Sequence, residues 1–194
     1  MSLMKRYLLI FLILMFFTAG CQSTNVAPEF HVSEDVDLSF IKKVAVMPFD
    51  NLTSEKFAGD IIRHVVVTEL LATGLVDVAI PGEVINSMKR LKIKSISALT
   101  AADIKKIGKS IKVQAIILGS VEQYGEIRAG NISVPEVTIS LMMADAASGS
   151  IVWSVTKTRG GATFLAKHFG ASSETLSETV LKIVRESLQT LVDY

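Results

Sequence analysis

The chain has 194 residues, with 20 Lys and Arg against 19 Asp and Glu, so its formal net charge at pH 7 is only +1. This balance argues against the basic surface that a nucleic-acid-binding protein needs, and we predict no nucleic-acid partner. Cys21 is the only cysteine, which excludes an intramolecular disulfide. The length is that of one domain preceded by a targeting segment.

Residues 1–20 are typical of a signal peptide. Lys5 and Arg6 supply positive charge, and residues 7–19 contain no charged side chain. This apolar run is shorter than the about 20 residues that a membrane-spanning helix needs. Residues 18–21 read Thr-Ala-Gly-Cys and resemble the bacterial lipobox, in which small residues precede a lipidated cysteine. We expect cleavage before Cys21, a diacylglycerol thioether on its sulfur and a further acyl chain such as palmitate. The alternatives are an ordinary secretory peptide and an uncleaved anchor helix.

The residue after the cysteine indicates in which membrane the lipid anchor lies. In the enterobacterial sorting rule Asp at this position retains a lipoprotein in the inner membrane, whereas this chain has Gln22. The resemblance therefore implies a lipid anchor in the outer membrane, on its periplasmic face. Residues 21–39 are polar and irregular and predict a lipidated flexible tether with an r.m.s. reach of roughly 25 Å. The periplasmic domain is predicted over residues 40–194.

The domain begins with a strand at residues 42–49, which is apolar on both faces after its lysines. Thr53 or Ser54 is predicted to cap a helix over residues 55–73, whose apolar positions include Phe57 and Ile61.

A short strand at residues 75–80 precedes Pro81, which suits the first turn of a helix that continues to Arg90. Thr100 and Asp103 have the spacing of a capping box, at the start of a helix that ends near Ser110.

The C-terminal half contains three predicted strands, at residues 113–124, 137–144 and 151–156, and the last two form a hairpin that turns near Gly149. Ser172 is predicted to cap a long amphipathic helix. The element order β-α-β-α-α-β-β-β-α predicts the α/β class, with a mixed β-sheet of about five strands flanked by helices.

Three segments in the same order resemble the curli-secretion (CsgG) superfamily. Residues 44–53 read VAVMPFDNLT, residues 115–121 read AIILGSV, and residues 141–154 read LMMADAASGSIVWS. This superfamily includes curli secretion pores, periplasmic activators of penicillin-binding proteins (LpoB-like) and the N-terminal domain type of TolB. The three motifs consist of strands and turns, so the resemblance implies the fold more directly than a function.

Two departures narrow the function that this resemblance implies. Curli pores insert two long hairpins that build a transmembrane barrel, and a barrel strand alone takes about 9–11 residues. Here residues 125–136 are predicted to be only a connection, so we expect a domain without a transmembrane barrel. LpoB-like activators carry long tethers that cross the cell wall, and the short tether here weakens that role.

No residue pattern in the sequence is typical of an enzyme. The three histidines, His31, His64 and His168, lack the spacing of metal ligands. Neither a G-x-S-x-G nucleophile elbow nor a phosphate-binding loop is present. We therefore predict no catalytic residue, no metal ligand and no cofactor.

Residues 161–170 are the most suggestive surface segment. Apolar and aromatic side chains stand there between glycines, outside predicted elements, and such exposed groups often mark a contact. The candidate partner-binding residues are Phe164, Leu165, His168 and Phe169. The alternative is that they cover the end of the sheet or a helix. Residues 50–53 are a second candidate, although capping explains them adequately.

The sequence thus predicts a membrane-anchored periplasmic lipoprotein that acts as a protein-interaction accessory in envelope assembly or secretion. Its partners are expected to be the membrane, through the lipid on Cys21, and envelope proteins, with a homo-oligomer as a further arrangement. One alternative is an oligomeric component of a secretion channel related to the curli pore. Another is an envelope protein that binds a small ligand.

Overall fold

The computed structural model describes residues 30–33, 40–129, 132–160 and 174–192. The predicted order of helices and strands is confirmed, and two short strands are added to it. The strands are Phe30–Val32 (β1), Lys43–Val46 (β2), Asp50–Asn51 (β3), Asp77–Val78 (β4), Ala115–Ala129 (β5), Ile132–Asp145 (β6) and Ile151–Gly160 (β7). The helices are Ala58–Thr73 (α1), Pro81–Arg90 (α2), Ala101–Ile111 (α3) and Leu176–Val192 (α4).

The strands form one mixed sheet in the order β1-β7-β6-β5-β2-β4, with β3 paired to β5. β2 is parallel to β4 and β5, whereas β5, β6 and β7 form an antiparallel meander. The α/β class and the mixed sheet are therefore confirmed. β1 and β3 were not predicted, because two or three residues are too few to show an alternating pattern.

Helices cover both faces of the sheet. α1 and α4 pack on one face, where Trp153 of β7 lies in the core with Val44 and Val46 of β2. α2 and α3 cover the other face, where Ala45 and Met47 are buried. Successive residues of β2 therefore enter different cores, which is why this strand is apolar at every position after Lys43.

The predicted start of α3 is confirmed. Thr100 Oγ1 accepts a hydrogen bond from the Asp103 N–H (3.3 Å), and an Asp103 carboxylate oxygen accepts one from the Thr100 N–H (3.2 Å). The predicted cap of α1 is wrong, because Phe57 occupies the capping position without a side-chain cap. Thr53 Oγ1 instead accepts from the Glu55 N–H (3.1 Å) within the preceding turn.

The predicted cap of α4 is also wrong. Ser172 lies outside the described residues, and the helix begins at Leu176. Thr175 and Glu178 form the reciprocal cap. Thr175 Oγ1 accepts from the Glu178 N–H (3.3 Å), and Glu178 Oε2 accepts from the Thr175 N–H (2.8 Å).

Residues 125–136 are not the simple connection that the sequence predicts. β5 and β6 stay paired from Gly125 and Glu136 out to Ala129 and Ile132. β7 ends where Gly160 pairs with Glu136, so residues 126–129 and 132–135 extend past it as a hairpin arm. The mixture of charged and apolar residues in this arm lacks the clear alternation that marks a strand in a sheet with one buried face.

Residues 30–32, which the sequence predicts within the tether, instead form β1 at the edge of the sheet. Phe30 lies opposite Val155 and Val32 opposite Trp153, antiparallel to β7. The segment between Cys21 and the sheet is therefore shorter than the sequence suggests. Residues 21–29 and 34–39 lie outside the described part of the chain.

Candidate interaction surface

The turn after β3 is held by the side chain of Asn51. Its Oδ1 accepts from the Thr53 N–H (3.1 Å) and from the Thr53 hydroxyl (2.8 Å). Its Nδ2 donates to the backbone oxygens of Glu55 (2.7 Å) and Lys56 (3.4 Å). One amide therefore joins both ends of a turn that Asn favours because its side chain can bond to nearby backbone groups.

This turn and the first turn of α1 expose three large apolar side chains. Leu52 is 69% exposed, Phe57 55% and Ile61 40%. Lys56 Nζ lies 5.2 Å from the centre of the Phe57 ring, within cation–π distance. We call Leu52, Phe57 and Ile61 the Leu52 surface.

The exposure of Phe57 and Ile61 differs from the sequence expectation. α1 buries Ala58, Ile62 and Val66, which recur every four residues. Phe57 and Ile61 each precede a buried position by one residue, which is about 100° around the helix. The run of apolar residues concealed this offset, because β-branched and apolar side chains occupy both faces of α1.

Close backbone packing places α1 against the turn. A Cβ on Gly59 would lie 3.0 Å from the Phe49 oxygen and 3.4 Å from the Asn51 Cβ. Arg63, one turn further along α1, donates from Nη2 (2.8 Å) and Nε (3.2 Å) to the Val46 oxygen at the end of β2. Burial is the main cause that lowers the pKa of Arg63, although Asp60 opposes it. These contacts join the start of α1 to the end of β2 and to the turn.

Tyr124 of β5 borders the same turn. Burial, and then the negative charge of Glu55, raise the pKa of the Tyr124 phenol. The phenol therefore stays neutral near pH 7.

A cluster of ion pairs joins β7 to α4. Arg159 binds both carboxylate oxygens of Glu174 and also contacts Glu186. Lys182 Nζ lies 2.8 Å from Glu174, and Lys157 Nζ lies 3.0 Å from Glu186. The hydrogen bond from Arg159, followed by that from Lys182, lowers the pKa of Glu174 to about 2. Glu174 is therefore ionised at any physiological pH.

On the sheet face that α2 and α3 partly cover, β6 and β7 present hydroxyl groups. The Ser140 hydroxyl donates to Glu122 (2.6 Å) and lies 2.8 Å from the Thr156 hydroxyl. Thr138 and Thr158 form a similar pair across β6 and β7 (2.9 Å). Because these hydroxyls hydrogen-bond to one another, the row is explained by strand pairing without any ligand.

The predicted partner-binding residues Phe164, Leu165, His168 and Phe169, and the predicted lipidation site Cys21, all lie outside the described residues. His31 and His64 are both exposed, on β1 and α1 respectively. In the ranges that the structure describes, no group of three or more His, Cys, Asp and Glu could hold a metal ion. None of the helices in those ranges is both long enough and apolar enough to cross a membrane.

Comparison with known protein families decides the relationship. The family described as peptidoglycan-synthase activator LpoB matches residues 21–158. The chain belongs to this family. The LpoB-like part of the sequence resemblance is therefore confirmed, and the curli-secretion part stays a prediction. An activator of peptidoglycan synthases is an accessory in envelope assembly, which agrees with the expectation that the chain is not an enzyme.

Solved structures of other proteins share the fold. The PelC dodecamer from Paraburkholderia phytofirmans is 21% identical with a TM-score of 0.59, covering 85% of this chain and 96% of that one. Lipoprotein GNA1162 from Neisseria meningitidis is 16% identical with a TM-score of 0.55, covering 79% and 99%. The hypothetical protein CT253 from Chlamydia trachomatis is 8% identical with a TM-score of 0.53, covering 79% and 97%. No curated protein matches the sequence.

Proposed function

We propose that this chain is a lipid-anchored periplasmic accessory that binds an envelope protein through the Leu52 surface. The LpoB family membership supports a role beside a peptidoglycan synthase. The proposal places the lipid on Cys21 and the anchor in the outer membrane. It is supported by the lipobox, by Gln22, and by a family match that begins at Cys21 itself.

The observation that carries the docking role is the combination of order and exposure at the turn. Leu52 and Phe57 are exposed although Asn51 hydrogen-bonds both ends of the turn, and Ile61 is exposed on the first turn of α1. A partner that covers them gains roughly 25 cal/mol for each Å² of apolar surface that becomes buried. Because the turn is already ordered, binding costs little additional conformational entropy. Phe57 is the aromatic anchor that such interfaces favour near their centre.

Residues 161–170, with Phe164, Leu165, His168 and Phe169, are proposed as a second contact with the same partner. The support comes from the residues that flank them, because Arg159 and Glu174 hold the two ends of this segment together. Loops on a fixed scaffold are common sites of recognition.

The anchor is tested by fractionating cells that produce Cys21→Ser. We expect the variant to leave the membrane fraction, or to stay at the unprocessed mass, while the wild-type chain sediments with outer membranes. Normal processing and unchanged fractionation of the variant would refute lipidation.

The docking surface is tested with a photo-crosslinking residue at Phe57 in the full chain in cells. Leu75 is the matched control, since it is 58% exposed beyond the opposite end of the same helix. We expect an envelope protein, identified by mass spectrometry, to be captured from position 57 at least about fivefold more than from position 75. Equal capture from both positions would refute the Leu52 surface.

A homo-oligomer is a second candidate, favoured by one observation. The PelC structure of the same fold is a dodecamer. Photo-crosslinking at Phe57 separates the two, because a ring built through this surface yields dimers of the chain itself. Sizing of the full chain in detergent as a strict monomer would exclude the ring.

A further inference from the structure

The near-neutral net charge of the chain conceals one strongly basic region. Residues 81–112, which form α2, α3 and the loop between them, contain eight Lys and Arg against two Asp and Glu, whereas the rest of the chain contains 12 against 17. All eight cationic residues are exposed. We call them the basic layer: Lys89, Arg90, Lys92, Lys94, Lys105, Lys106, Lys109 and Lys112.

The packing of α2 against α3 gathers these charges on one side of the sheet. Both helices cover the same face, and Arg90 Nη2 donates to the Ser110 hydroxyl (3.0 Å), which joins their C-terminal ends. Within the described part of the chain, Lys106 alone among the eight lies within ion-pair distance of a carboxylate, that of Asp103 (3.7 Å). The like charges repel one another, and an anionic partner would relieve this repulsion.

The helix dipole explains only part of this charge. Cations in the last turn of a helix interact favourably with its C-terminal dipole, and Lys89, Arg90 and Lys109 lie in such positions. Lys94 and Lys105 lie outside these turns, so the dipole does not account for their charge.

Two of the lysines occupy backbone positions that favour glycine. Lys92 follows α2 with a φ of 57° and Lys112 ends α3 with a φ of 54°, and no other non-glycine residue among those described has a positive φ. After Lys112 the Val113 N–H reaches back to the Gly108 oxygen (3.1 Å), in a helix ending that usually has glycine or asparagine in the left-handed position. A side chain in this conformation lowers stability. Lysine is therefore present where glycine would be more stable, which favours a role for its charge.

The composition of the basic layer favours a hydrated polyanion over a protein or a bilayer. Seven of its eight residues are Lys, a hydrated point charge that is depleted in protein interfaces, whereas Arg is enriched there. In residues 81–112, all of which the structure describes, no large apolar side chain is exposed. Protein interfaces centre on such side chains, and membrane-binding helices insert them. Ile80 is exposed, but it precedes α2 at the end opposite to Lys89.

We infer that the basic layer binds the peptidoglycan polymer itself, through the carboxylates of its peptides. This inference rests on the proposed function, which places the chain in the periplasm beside a peptidoglycan synthase. Peptidoglycan is a hydrated polymer with many separate carboxylates, which matches a surface of separate point charges. α1, which carries Phe57 and Ile61, packs on the opposite face of the sheet, so the polymer and a protein partner can bind at the same time.

The class of partner is tested in cells with a photo-crosslinking residue at Asn86, which keeps all eight cations. Asn86 is exposed and precedes Lys89 and Arg90 by three and four positions, so it borders them on the surface of α2. We expect adducts that stay with the sacculi in boiling detergent and are released by a muramidase, at least about fivefold more than from Leu75. A discrete protein or lipid adduct from position 86, or no retention above that from position 75, overturns the inference.

The role of the charge is tested by sedimenting the full chain, in detergent, with purified sacculi. Lys92→Gly with Lys112→Gly removes two cations of the basic layer, and Lys56→Gln with Lys182→Gln removes two exposed cations elsewhere. We expect the glycine variant to bind at least about fivefold more weakly, although its Tm rises by about 2–4 °C for each glycine. The glutamine variant should bind as the wild-type chain does. Wild-type binding by the glycine variant, or an equal loss in the glutamine variant, overturns the inference.

The carboxylates of the polymer are tested by converting them to neutral amides on the sacculi. Binding of the wild-type chain should fall at least about fivefold, and raising NaCl from about 0.05 M to about 0.3 M should have a similar effect because salt screens exposed charges. Undiminished binding to the amidated sacculi overturns the inference.

Failure of this inference and failure of the proposed function are distinguishable. If position 57 captures an envelope protein and position 86 gives no adduct with sacculi, only the contact with the polymer is wrong. If position 86 gives that adduct and position 57 captures nothing, the docking role of the Leu52 surface fails and the basic layer stands.

Discussion

The guanidinium of Arg159 at the end of β7 forms a bidentate ion pair with the carboxylate of Glu174 just before α4. The distances are 2.6 Å from Nη2 to Oε1 and 3.1 Å from Nε to Oε2. Lys182 binds the same carboxylate at 2.8 Å. This pair connects the two sides of residues 161–173 and fixes the end of the sheet against the C-terminal helix. A planar guanidinium suits this geometry better than lysine would.

The Arg159–Glu174 pair predicts a specific loss of stability in acid. The pKa of Glu174 is about 2 in the folded chain, against about 4.3 for an unperturbed Glu. Since the folded pKa is the lower one, the contribution is complete above about pH 5 and is lost as the pH falls towards 2. Allowing for solvent screening at this partly exposed site, we expect it to amount to about 1 kcal/mol.

Urea unfolding at about pH 5 and about pH 3 measures this contribution. Glu174→Gln should lose part of the acid dependence that the wild-type chain shows, whereas Glu83→Gln, in the first turn of α2, should keep it. The same pH dependence in the wild-type chain and in Glu174→Gln would contradict the role of this ion pair.

Asn51→Ala should loosen the turn with little effect on global stability. The variant loses the bonds to Thr53, Glu55 and Lys56, but these groups are largely exposed and can bind water, so we expect a loss of about 1 kcal/mol or less. Hydrogen exchange at the Thr53 amide should accelerate at least about tenfold, and capture by a crosslinker at Phe57 should fall. Ser54→Ala is the control in the same turn. Unchanged exchange in Asn51→Ala would show that Asn51 does not hold the turn.

Two helical glycines should respond to alanine with opposite signs. A Cβ on Gly108 of α3 would lie 2.5 Å from the Cβ of Ala146, whereas a Cβ on Gly82 of α2 meets no atom within 4 Å. Gly108→Ala should therefore lower the free energy of unfolding by about 1–3 kcal/mol through overpacking. Gly82→Ala should raise it by about 0.5 kcal/mol through helix propensity. Thermal unfolding checks both, and a Tm for Gly108→Ala at or above that of the wild-type chain would refute the close contact.

Two buried serines offer a test of hydrogen-bond satisfaction. Ser87 Oγ in α2 has no hydrogen-bond partner in the described part of the chain, whereas Ser187 Oγ in α4 donates to the Ile183 oxygen at 2.7 Å. Replacing Ser by Ala raises the helix propensity by a similar amount at both positions. Removing the unpaired hydroxyl of Ser87 also removes its desolvation cost, so Ser87→Ala should be the more stable variant by about 1 kcal/mol. Equal Tm values for the two variants would mean that Ser87 is solvated or paired.

Patterns that extend over only a few neighbouring residues predicted much of the fold correctly. The helix predicted from Pro81 to Arg90 has those limits in the structure, and the Thr100–Asp103 capping box is present. The strand predicted to be buried on both faces is β2, in the interior of the sheet. Each of these features depends on contacts between close neighbours or on the simple presence of apolar side chains, which the sequence displays directly.

The expectations that failed depended on which surface each element meets. Phe57 belongs to an apolar run and was expected within the amphipathic pattern of α1, but α1 buries the neighbouring positions Ala58 and Ile62 instead. The hairpin arm was predicted as a connection because its sequence mixes charged and apolar residues without a clear alternation. The sequence therefore predicted only part of the Leu52 surface, because the candidate residues 50–53 include Leu52 but neither Phe57 nor Ile61.

The sequence by itself determined the α/β class, the chemistry expected at Cys21 and the absence of a recognisable catalytic motif. Each of these depends on patterns of residues that lie close together in the chain. Only the tertiary structure decided which end of the domain receives the N-terminal segment. That depends on Phe30–Val32 pairing with β7, a strand encoded far along the chain. A segment of three residues is too short to indicate which strand it pairs with. Its position depends on the edge of β7, which the rest of the sheet leaves unpaired.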